Sequence, residues 1–378
     1  MLTTFENHLD VLWGFLVALG VVLLLTPAVG RVARVLGVVD APLERRRVHL
    51  AAVPRLGGLA LFLGLFVPAL AFLNLDGPYR GILLGAALAT TVGMADDFRG
   101  LPWWGKLGGQ FAAAAIPVYY GVDIDRFTFP IVGIHDLPAW LAAALAFIWI
   151  VAIMNMVNFL DGLDGLAAGV CGISGITFAI IALSLNKPEA AVLSAIVAGI
   201  CLGFLRHNFY PARIFMGDSG ALLLGFVLAT VSIQGLLKTA ATVALFFPLL
   251  VLAVPILDTS FVVARRLKHG EKLYLPDQAH LHHRFLRRGF SQRQAVLYLY
   301  AWCVILGAAA LATRFVPFRE GGQWHLWPTV AVALIGFLAV ATSLYMVYML
   351  EILKLRRVRA WAERRRDAKA EQSRALSA

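Results

Sequence analysis

A series of long stretches without charged residues limits most strongly how this chain can fold. Each is about 17–25 residues long, the length of helix that crosses the roughly 30 Å hydrocarbon core of a bilayer. Of the 378 residues, 60% are hydrophobic and only 15% are charged, whereas soluble domains average about 25% charged residues. The sequence therefore predicts an all-α, polytopic integral membrane protein, and it excludes a soluble, disordered or collagen-like chain.

About eleven transmembrane helices are predicted from these stretches. Their approximate bounds are 9–29, 56–73, 80–95, 107–121, 139–158, 165–184, 190–205, 219–237, 240–263, 296–313 and 327–350. The first stretch has no basic segment before it and no small-residue cleavage site after it, so we interpret it as a span and not as a cleavable signal peptide. Residues 1–353 form the predicted transmembrane domain, and residues 354–378 form a basic cytoplasmic tail.

The distribution of Lys and Arg predicts the orientation. If the spans alternate in direction, all but six of the 33 Lys and Arg residues fall on one side of the membrane. The exceptions are Arg80, Arg126, Lys187, Lys238, Arg314 and Arg319. Because basic loops are retained in the cytoplasm, the N-terminus is predicted outside and the C-terminus inside. Topology thus explains most of the net charge of +11, and we expect no nucleic-acid partner.

Polar side chains that would be costly inside a membrane gather at the predicted cytoplasmic ends of the spans. They occur at 96–97, 155–164, 208–218, 258 and 280–283. Since five segments converge on one face, the pattern indicates a site at the membrane surface. A transporter usually places its polar site near the midplane, in helices related by an internal repeat, and we find no such repeat in the sequence.

Two adjacent carboxylates, Asp96 and Asp97, end the third span in the segment GMADDFRGLPWWGKLGGQ, with Lys106 nine residues after Asp97. Neighbouring carboxylates repel one another, so the pair is easier to explain if a cation or a polarised substrate group binds there. For this motif alone, a solvated helix end with ordinary interfacial charge is the structural alternative.

The segment IMNMVNFLDGLDGLAAG is more specific. Asn155 and Asn158 lie three residues apart on one helical face, and Asp161 and Asp164 follow beside glycines. Amide and carboxylate oxygens together are ligands that Mg²⁺ accepts, with other positions left for phosphate oxygens and water. The alternative is an Asx-rich turn that joins two helices.

Asp218 precedes a further span in the segment HNFYPARIFMGDSGALLLG. An Asp at a helix start is often only an N-cap. If it faces the other polar segments, it is the third carboxylate site of a metal–phosphate centre, and the helix N-terminus adds a positive dipole end toward an anion.

Three histidines, His280, His282 and His283, lie in the longest predicted cytoplasmic loop, in PDQAHLHHRFLRRGFSQRQ. Adjacent histidines cannot share a helical face and no Cys accompanies them, so we favour donors to phosphate over a zinc site. Arg55, in VPRLGG, is a further candidate donor to phosphate. For both segments, the alternative is a basic loop that lies on anionic lipid.

Together these residues indicate Mg²⁺-dependent phosphoryl transfer at the inner membrane surface, between a soluble diphosphate and a lipid-borne substrate. Such chemistry depends mostly on positioning and charge neutralisation, which this set of side chains can supply. The sequence contains no Walker A motif, so an NTP-driven pump is disfavoured.

These motifs resemble those of the polyprenyl-phosphate N-acetylhexosamine-1-phosphate transferases, which start bacterial teichoic acid, O-antigen and related glycan synthesis. The matching strings are VPRLGG, ADDFRGLPWWGKLGGQ, NMVNFLDGLDGLAAG, NFYPARIFMGDSG, PILDTSFVVARRL and HLHHRFL. The resemblance covers nearly all of the transmembrane body and ends at about residue 354. The sister family of peptidoglycan synthesis, the phospho-N-acetylmuramoyl-pentapeptide transferases, shares several elements, but HLHHR followed by LRRGFSQRQ is more similar to the N-acetylglucosamine group.

The resemblance implies transfer of a sugar 1-phosphate, N-acetylglucosamine 1-phosphate in the first place, from a UDP-sugar to undecaprenyl phosphate with release of UMP. It also implies a multi-pass protein of the bacterial inner membrane with its active site on the cytoplasmic face. The donor sugar and the oligomeric state stay open, with a homodimer as one option for the latter.

Residue roles follow from the matching positions. The resemblance implies that Asn158 and Asp218 bind Mg²⁺, with Mn²⁺ as an alternative metal. The other implied roles are catalysis or phosphate binding for Asp96, Asp97 and Lys106, nucleotide binding for Asn155, Asp161 and Asp164, and binding of the donor's diphosphate or sugar for Arg55, His280, His282 and His283.

The chemistry of the acceptor favours direct attack. A phosphate monoester has a second pKa of about 6, so the lipid phosphate is largely dianionic at neutral pH and barely needs a base. We expect Asp97 or Asp96 to orient it or to remove its last proton. A covalent aspartyl-phosphate intermediate is the competing mechanism. The competing functions are a transporter of lipid-linked sugars and a membrane scaffold that uses its basic tail.

Overall fold

A computed structural model describes residues 9–40, 52–129, 133–237, 246–271, 280–317, 319–320 and 323–350, and the predicted tail lies outside them. The helices in these residues are α1 (Leu9–Val35), α2 (Gly57–Phe72), α3 (Pro78–Arg99), α4 (Trp103–Tyr119), α5 (Ala139–Leu160), α6 (Leu166–Ser184), α7 (Pro188–Asn208), α8 (Gly217–Ser232), α9 (Phe246–Val251), α10 (Ala253–His269), α11 (Leu281–Arg287), α12 (Gln292–Phe315) and α13 (Leu326–Met349).

Three antiparallel hairpins lie between the helices. Their strands are β1 (Val39–Asp40) with β2 (Val53–Pro54), β3 (Arg126–Phe129) with β4 (Gly133–Asp136), and β5 (Arg319–Glu320) with β6 (Gln323–Trp324). Each hairpin has strands of only two to four residues. The predicted all-α class is therefore confirmed for the described part of the chain.

The chain is a multi-pass membrane protein. Eight described helices are long and apolar enough to cross a bilayer: α1, α3, α5, α6, α7, α8 with the π-helical turn that follows it, α12 and α13. Helix α2 is apolar but has 16 residues, and α4 has 17. Each of the eleven predicted spans overlaps a described helix. The count of eleven complete crossings stays a prediction.

The predicted span 240–263 is not one continuous helix within the described residues. Helix α9 ends at Val251 and α10 begins at Ala253. Pro255 explains the break, because its ring lacks an N–H and collides with the carbonyl four residues earlier in a continuous helix. Helix α10 then continues to His269, beyond the predicted end of the span.

Helix α8 lies at the centre of the bundle and packs against α2, α3 and α5. Of its apolar window, 89% is buried inside the protein, compared with 11% for α13. Glycine permits the close approach of α5 and α8, since a Cβ atom on Gly225 would lie 2.7 Å from Cα of Met154. The polar start of α8 is thereby held among several other helix ends.

Contacts at the two ends of the bundle show that the helices alternate in direction. At one end, the last turn of α3 meets the first turn of α4 through Asp96 and Lys106. At the opposite end, Gly81 near the start of α3 packs against Tyr120, which follows α4. The alternation on which the predicted topology depends is thus observed for these helices.

Candidate active site

The segment VPRLGG pairs through its backbone with the segment that leads into α8. The N–H of Phe215 donates to the carbonyl of Pro54 over 2.8 Å. Gly58 is required at the contact, because a Cβ atom there would lie 2.2 Å from Oγ of Ser219. The pairing places Arg55 beside the first turn of α8.

Asp97 holds the start of α8 from the end of α3. Its side chain is 0% exposed. One oxygen accepts from the N–H of Asp218 over 2.8 Å and lies 3.3 Å from Nε of Arg55. The other accepts from the N–H and the hydroxyl of Ser219 over 3.0 and 2.7 Å. Both oxygens are therefore occupied by contacts within the protein.

The backbone at Gly217 fits closely around this carboxylate. Gly217 has a φ of +68°, a conformation that side chains rarely adopt. A Cβ atom at this position would also lie 2.5 Å from Oδ2 of Asp97. The glycine of the motif FMGDSG thus allows the chain to turn into α8 directly over Asp97.

Asp96 faces a different set of partners, centred on the ammonium group of Lys106. Nζ of Lys106 lies 3.0 Å from Oδ2 of Asp96 and 2.9 Å from Oδ2 of Asp218. It also donates to Oδ1 of Asn158 over 3.2 Å, and Asn158 donates to the second oxygen of Asp218 over 2.6 Å. Oxygens from three helices, α3, α5 and α8, therefore converge on one positive charge.

The chemistry of these oxygens suits a hard divalent cation. Carboxylate oxygens of Asp218 and Asp96 and the amide oxygen of Asn158 are ligand types that Mg²⁺ accepts. Among the described residues, no group of three or more His, Cys, Asp or Glu side chains is arranged to hold a metal ion by itself. A metal here would take its remaining ligands from water and substrate.

The pKa of Asp161, which follows α5, differs from its usual value. Burial raises the pKa of Asp161 to about 7, and the negative charge of Asp218 acts in the same direction. Arg55 opposes this rise. Acidic side chains outnumber the two cations Arg55 and Lys106 around the cluster, so bound anions would need additional positive charge.

A cavity of about 390 Å³ opens beside the cluster. This volume is within the range of about 300–1,000 Å³ that is usual for small-molecule sites. Half of the predicted site residues line it, namely Arg55, Asn158, Asp161, Asp164, Asp218 and His283. Lining residues that the sequence analysis did not select as site residues are Asp40, Gly162, Leu163, Asn208, Phe215, Gly217 and Gln292.

Asn155 is not one of the residues that line the cavity. Its amide group exchanges two hydrogen bonds with the amide group of Gln110, at 2.7 and 3.2 Å. It also donates to the carbonyl of Val151 over 2.8 Å. Asn155 therefore joins α5 to α4, and its predicted contact with a nucleotide stays untested.

Two of the predicted histidines also lie outside the cavity lining. Nδ1 of His280 is 2.9 Å from Oδ2 of Asp258, whose other oxygen accepts from the N–H of Leu281 over 2.7 Å. Asp258 thus anchors the start of α11. The ring of His282 packs against Gly162, where a Cβ atom would lie 2.2 Å from Nε2. Only His283 of the three lines the cavity.

Three polar residues in these contacts were not selected as site residues from the sequence: Ser219, Gln110 and Asp258. Ser219 directly follows Asp218, so its position beside a predicted metal ligand could have identified it. Asp258 is a lone carboxylate within an apolar stretch, a position that is usually functional. Gln110 gives a weaker signal, because a single amide in an apolar helix has many possible partners.

Comparison with known proteins identifies the family of this chain. Residues 79–236 match the family described as "Glycosyl transferase family 4". A probable undecaprenyl-phosphate N-acetylglucosaminyl 1-phosphate transferase from Bacillus subtilis (strain 168) is 37% identical over 310 residues, which cover 82% of this chain and 86% of the relative. The chain belongs to the polyprenyl-phosphate N-acetylhexosamine-1-phosphate transferase family. The resemblance found in the sequence motifs is thereby confirmed.

Other polyprenyl-phosphate transferases match over similar lengths. A decaprenyl-phosphate N-acetylglucosaminephosphotransferase from Mycobacterium leprae (strain TN) is 36% identical over 327 residues, 79% of this chain and 82% of the relative. A phospho-N-acetylmuramoyl-pentapeptide-transferase from Moorella thermoacetica is 31% identical over 287 residues, 70% of this chain and 86% of the relative. Of these three transferases, the two whose names contain N-acetylglucosamine are more similar to this chain.

Proposed function

We propose that this chain transfers N-acetylglucosamine 1-phosphate from its UDP derivative (UDP-GlcNAc) to undecaprenyl phosphate, in a reaction that depends on Mg²⁺. The products are UMP and a polyprenyl diphosphate that carries the sugar. The observation that supports this proposal most directly is the convergence of Asp96, Asn158 and Asp218 on Lys106, beside a cavity of about 390 Å³. The names of the N-acetylglucosamine relatives support the choice of sugar.

The reaction needs little covalent assistance from the protein. An oxygen of the lipid phosphate attacks the phosphorus that carries the sugar, and the bond from that phosphorus to the bridging oxygen breaks. UMP leaves with the electron pair. Because the lipid phosphate is already largely dianionic at neutral pH, charge neutralisation and alignment are the main requirements.

The positive groups for this task are Lys106, Arg55 and the proposed metal. Asp218 and Asn158 would hold Mg²⁺, which would neutralise charge on the phosphates. The donor diphosphate and the lipid phosphate bring several negative charges to a region that already holds Asp96, Asp97 and Asp218. Two basic side chains cannot balance this charge, and the imbalance supports the need for a divalent cation.

Different roles for the two adjacent carboxylates follow from their contacts. Both oxygens of Asp97 already accept hydrogen bonds, and one of them also lies beside Arg55. Asp97 therefore positions Asp218, and it is poorly placed to attack a phosphorus or to accept a proton. The side chain of Asp96 is 12% exposed and adjoins Lys106. We assign to Asp96 the orientation of the lipid phosphate or removal of its last proton, which favours direct attack over an aspartyl-phosphate intermediate.

The proposed location of the site is the cytoplasmic face of the bacterial inner membrane. The site residues lie where α3 and α5 end and where α4 and α8 begin. If the eleven predicted spans alternate in direction, the loops on this side carry all but six of the Lys and Arg residues of the sequence. The tendency of basic loops to stay in the cytoplasm supports this orientation. It also gives a soluble nucleotide-sugar access to the cavity.

A second candidate donor is UDP-N-acetylmuramoyl-pentapeptide. The name of the relative from Moorella thermoacetica, a phospho-N-acetylmuramoyl-pentapeptide-transferase, supports this candidate. The two donors share the UDP group and differ in the sugar and its substituents. A panel of UDP-sugars, each incubated with purified protein, undecaprenyl phosphate and Mg²⁺, distinguishes them by the amount of UMP released. We expect the highest kcat/KM with UDP-GlcNAc. Faster release with the muramoyl pentapeptide donor would replace this assignment with the second candidate.

A further inference from the structure

The carboxamide oxygen of Gln292, a residue that lines the cavity, has no hydrogen-bond partner in the described part of the chain. Gln292 is the first residue of α12, and the start of this helix is fixed by the reciprocal hydrogen bonds of Ser291 and Gln294. Gln292 lines the cavity although the residue is only 8% exposed. Among the described residues, its buried Oε1 atom has no hydrogen-bond partner.

The other two amide side chains that line the cavity have protein partners. Asn208 accepts from the N–H of Gly165 over 3.0 Å and donates to the carbonyl of Ile214 over 2.9 Å. Asn158 accepts from Lys106 and donates to Asp218. Buried polar atoms are normally hydrogen-bonded, and an unpaired one destabilises the protein. Of these three amides, that of Gln292 is therefore the one whose oxygen is left without a partner among the described residues.

We propose that Gln292 recognises the uncharged part of the nucleotide-sugar by a hydrogen bond and thereby contributes to donor specificity. This inference rests on the proposed function. A neutral amide adds little to the binding of a diphosphate, for which Arg55 and Lys106 provide charge. An amide matches groups that present an N–H beside a carbonyl, as both the uracil ring and the acetamido group of the sugar do. Gln292 is thus a substrate-contacting residue with no part in bond cleavage.

The test compares Gln292→Met with Gln294→Met, a matched change two residues later in the same helical turn. Met keeps the length of the side chain but removes its hydrogen bonds. Gln294→Met weakens the helix start without altering the cavity lining, so it controls for an effect on α12. The affinities of the purified proteins for UDP-GlcNAc and for UDP are measured by calorimetry, together with kcat and KM for UMP release.

We expect Gln292→Met to bind UDP-GlcNAc about three- to tenfold more weakly, the size of one lost hydrogen bond, with a similar increase in KM and a small change in kcat. An equal loss of UDP affinity assigns the contact to uracil, and unchanged UDP affinity assigns it to the sugar. Unchanged affinity for both ligands overturns the proposal, as does the same loss in Gln294→Met. If Gln292→Met does not fold, Gln292→Leu replaces it, since Leu also removes the hydrogen-bonding groups and adds no charge.

Failure of the proposed function gives a different result. In that case, the wild-type protein itself binds no UDP-sugar and releases no UMP, and the inference about Gln292 falls with it. A wild-type protein that turns over UDP-GlcNAc, together with unaltered binding in Gln292→Met, overturns only the role of Gln292.

Discussion

The carboxylate of Asp97 accepts hydrogen bonds from both the backbone N–H and the hydroxyl group of Ser219. The two residues belong to α3 and α8, so this contact joins the end of one helix to the start of another. The same carboxylate accepts from the N–H of Asp218. It thereby fixes the direction in which the proposed metal ligand points, and Asp97 acts on the reaction through Asp218.

We predict that Asp97→Asn destabilises the protein more than Asp96→Asn does. In Asp97→Asn, an NH₂ group replaces an oxygen that accepts from backbone N–H groups, and the loss is about 1–3 kcal/mol. Asp96 accepts from the N–H of Leu101 over 2.6 Å, and its side chain is 12% exposed compared with 0% for Asp97, so its replacement should disturb the fold less. We expect both variants to lose most of their UMP release, and Asp97→Asn to show the larger decrease in unfolding temperature in detergent.

An unfolding temperature of Asp97→Asn equal to that of the wild type would contradict the positioning role. Retention of the Mg²⁺ concentration dependence of the wild type by this variant would do so too, because a displaced Asp218 should weaken the response to the metal.

We predict that Gly58→Ala is strongly disruptive. The added methyl group would lie 2.2 Å from Oγ of Ser219 and 2.3 Å from the backbone nitrogen of Gly220. Because backbone atoms cannot move aside cheaply, α2 and α8 must separate. Gly20→Ala in α1 is the matched control, since its methyl group would meet nothing within 4 Å and Ala favours a helix. The yield, the fraction of protein in the main gel-filtration peak and the melting temperature should decrease for Gly58→Ala but not for Gly20→Ala. Normal behaviour of both variants would refute the close packing of α2 against Ser219.

The raised pKa of Asp161 predicts a pH dependence of stability. Burial raises this pKa from its usual 3.8 to about 7, so the folded protein keeps the proton where the unfolded chain has released it. The contribution of Asp161 to stability therefore decreases as pH rises from about 4 to about 7. Asp161→Asn cannot lose a proton, and its melting temperature should decrease less over this range than that of the wild type.

The exposed acid Asp76 provides the control for this prediction. Asp76→Asn makes the same chemical change as Asp161→Asn but lies in the loop between α2 and α3. Its melting curve should follow that of the wild type. If Asp161→Asn also follows the wild type at every pH, Asp161 does not hold its proton in the folded protein.

Much of the fold and the approximate position of the site could be predicted from the sequence. Length and apolar character place the helices, because a segment in lipid must satisfy its backbone hydrogen bonds internally. The motifs that hold Asp96, Lys106, Asn158 and Asp218 all occur at helix ends on the same predicted side, and the structure brings these four side chains together.

Tertiary contacts decide the features that could not be predicted. Successive residues on a helix point about 100° apart, so Asp96 and Asp97 must meet different partners, and the motif does not say which partners each one has. Asn155 was expected at the nucleotide, but its partner Gln110 comes from a different helix. The pairing of His280 with Asp258 likewise joins residues 22 positions apart. Such pairings depend on how the helices pack and not on local spacing.

The most direct test of the proposed reaction is UMP release by the purified protein with undecaprenyl phosphate and UDP-GlcNAc. It is measured with Mg²⁺ and after addition of EDTA, for the wild type, Asp218→Ala and the control Asp76→Asn. We predict UMP release together with an equal amount of sugar-bearing lipid in the wild type and Asp76→Asn, abolished by EDTA and by Asp218→Ala. Undiminished release with EDTA and in Asp218→Ala would contradict the proposed metal site, and no release from any UDP-sugar would contradict the proposed reaction.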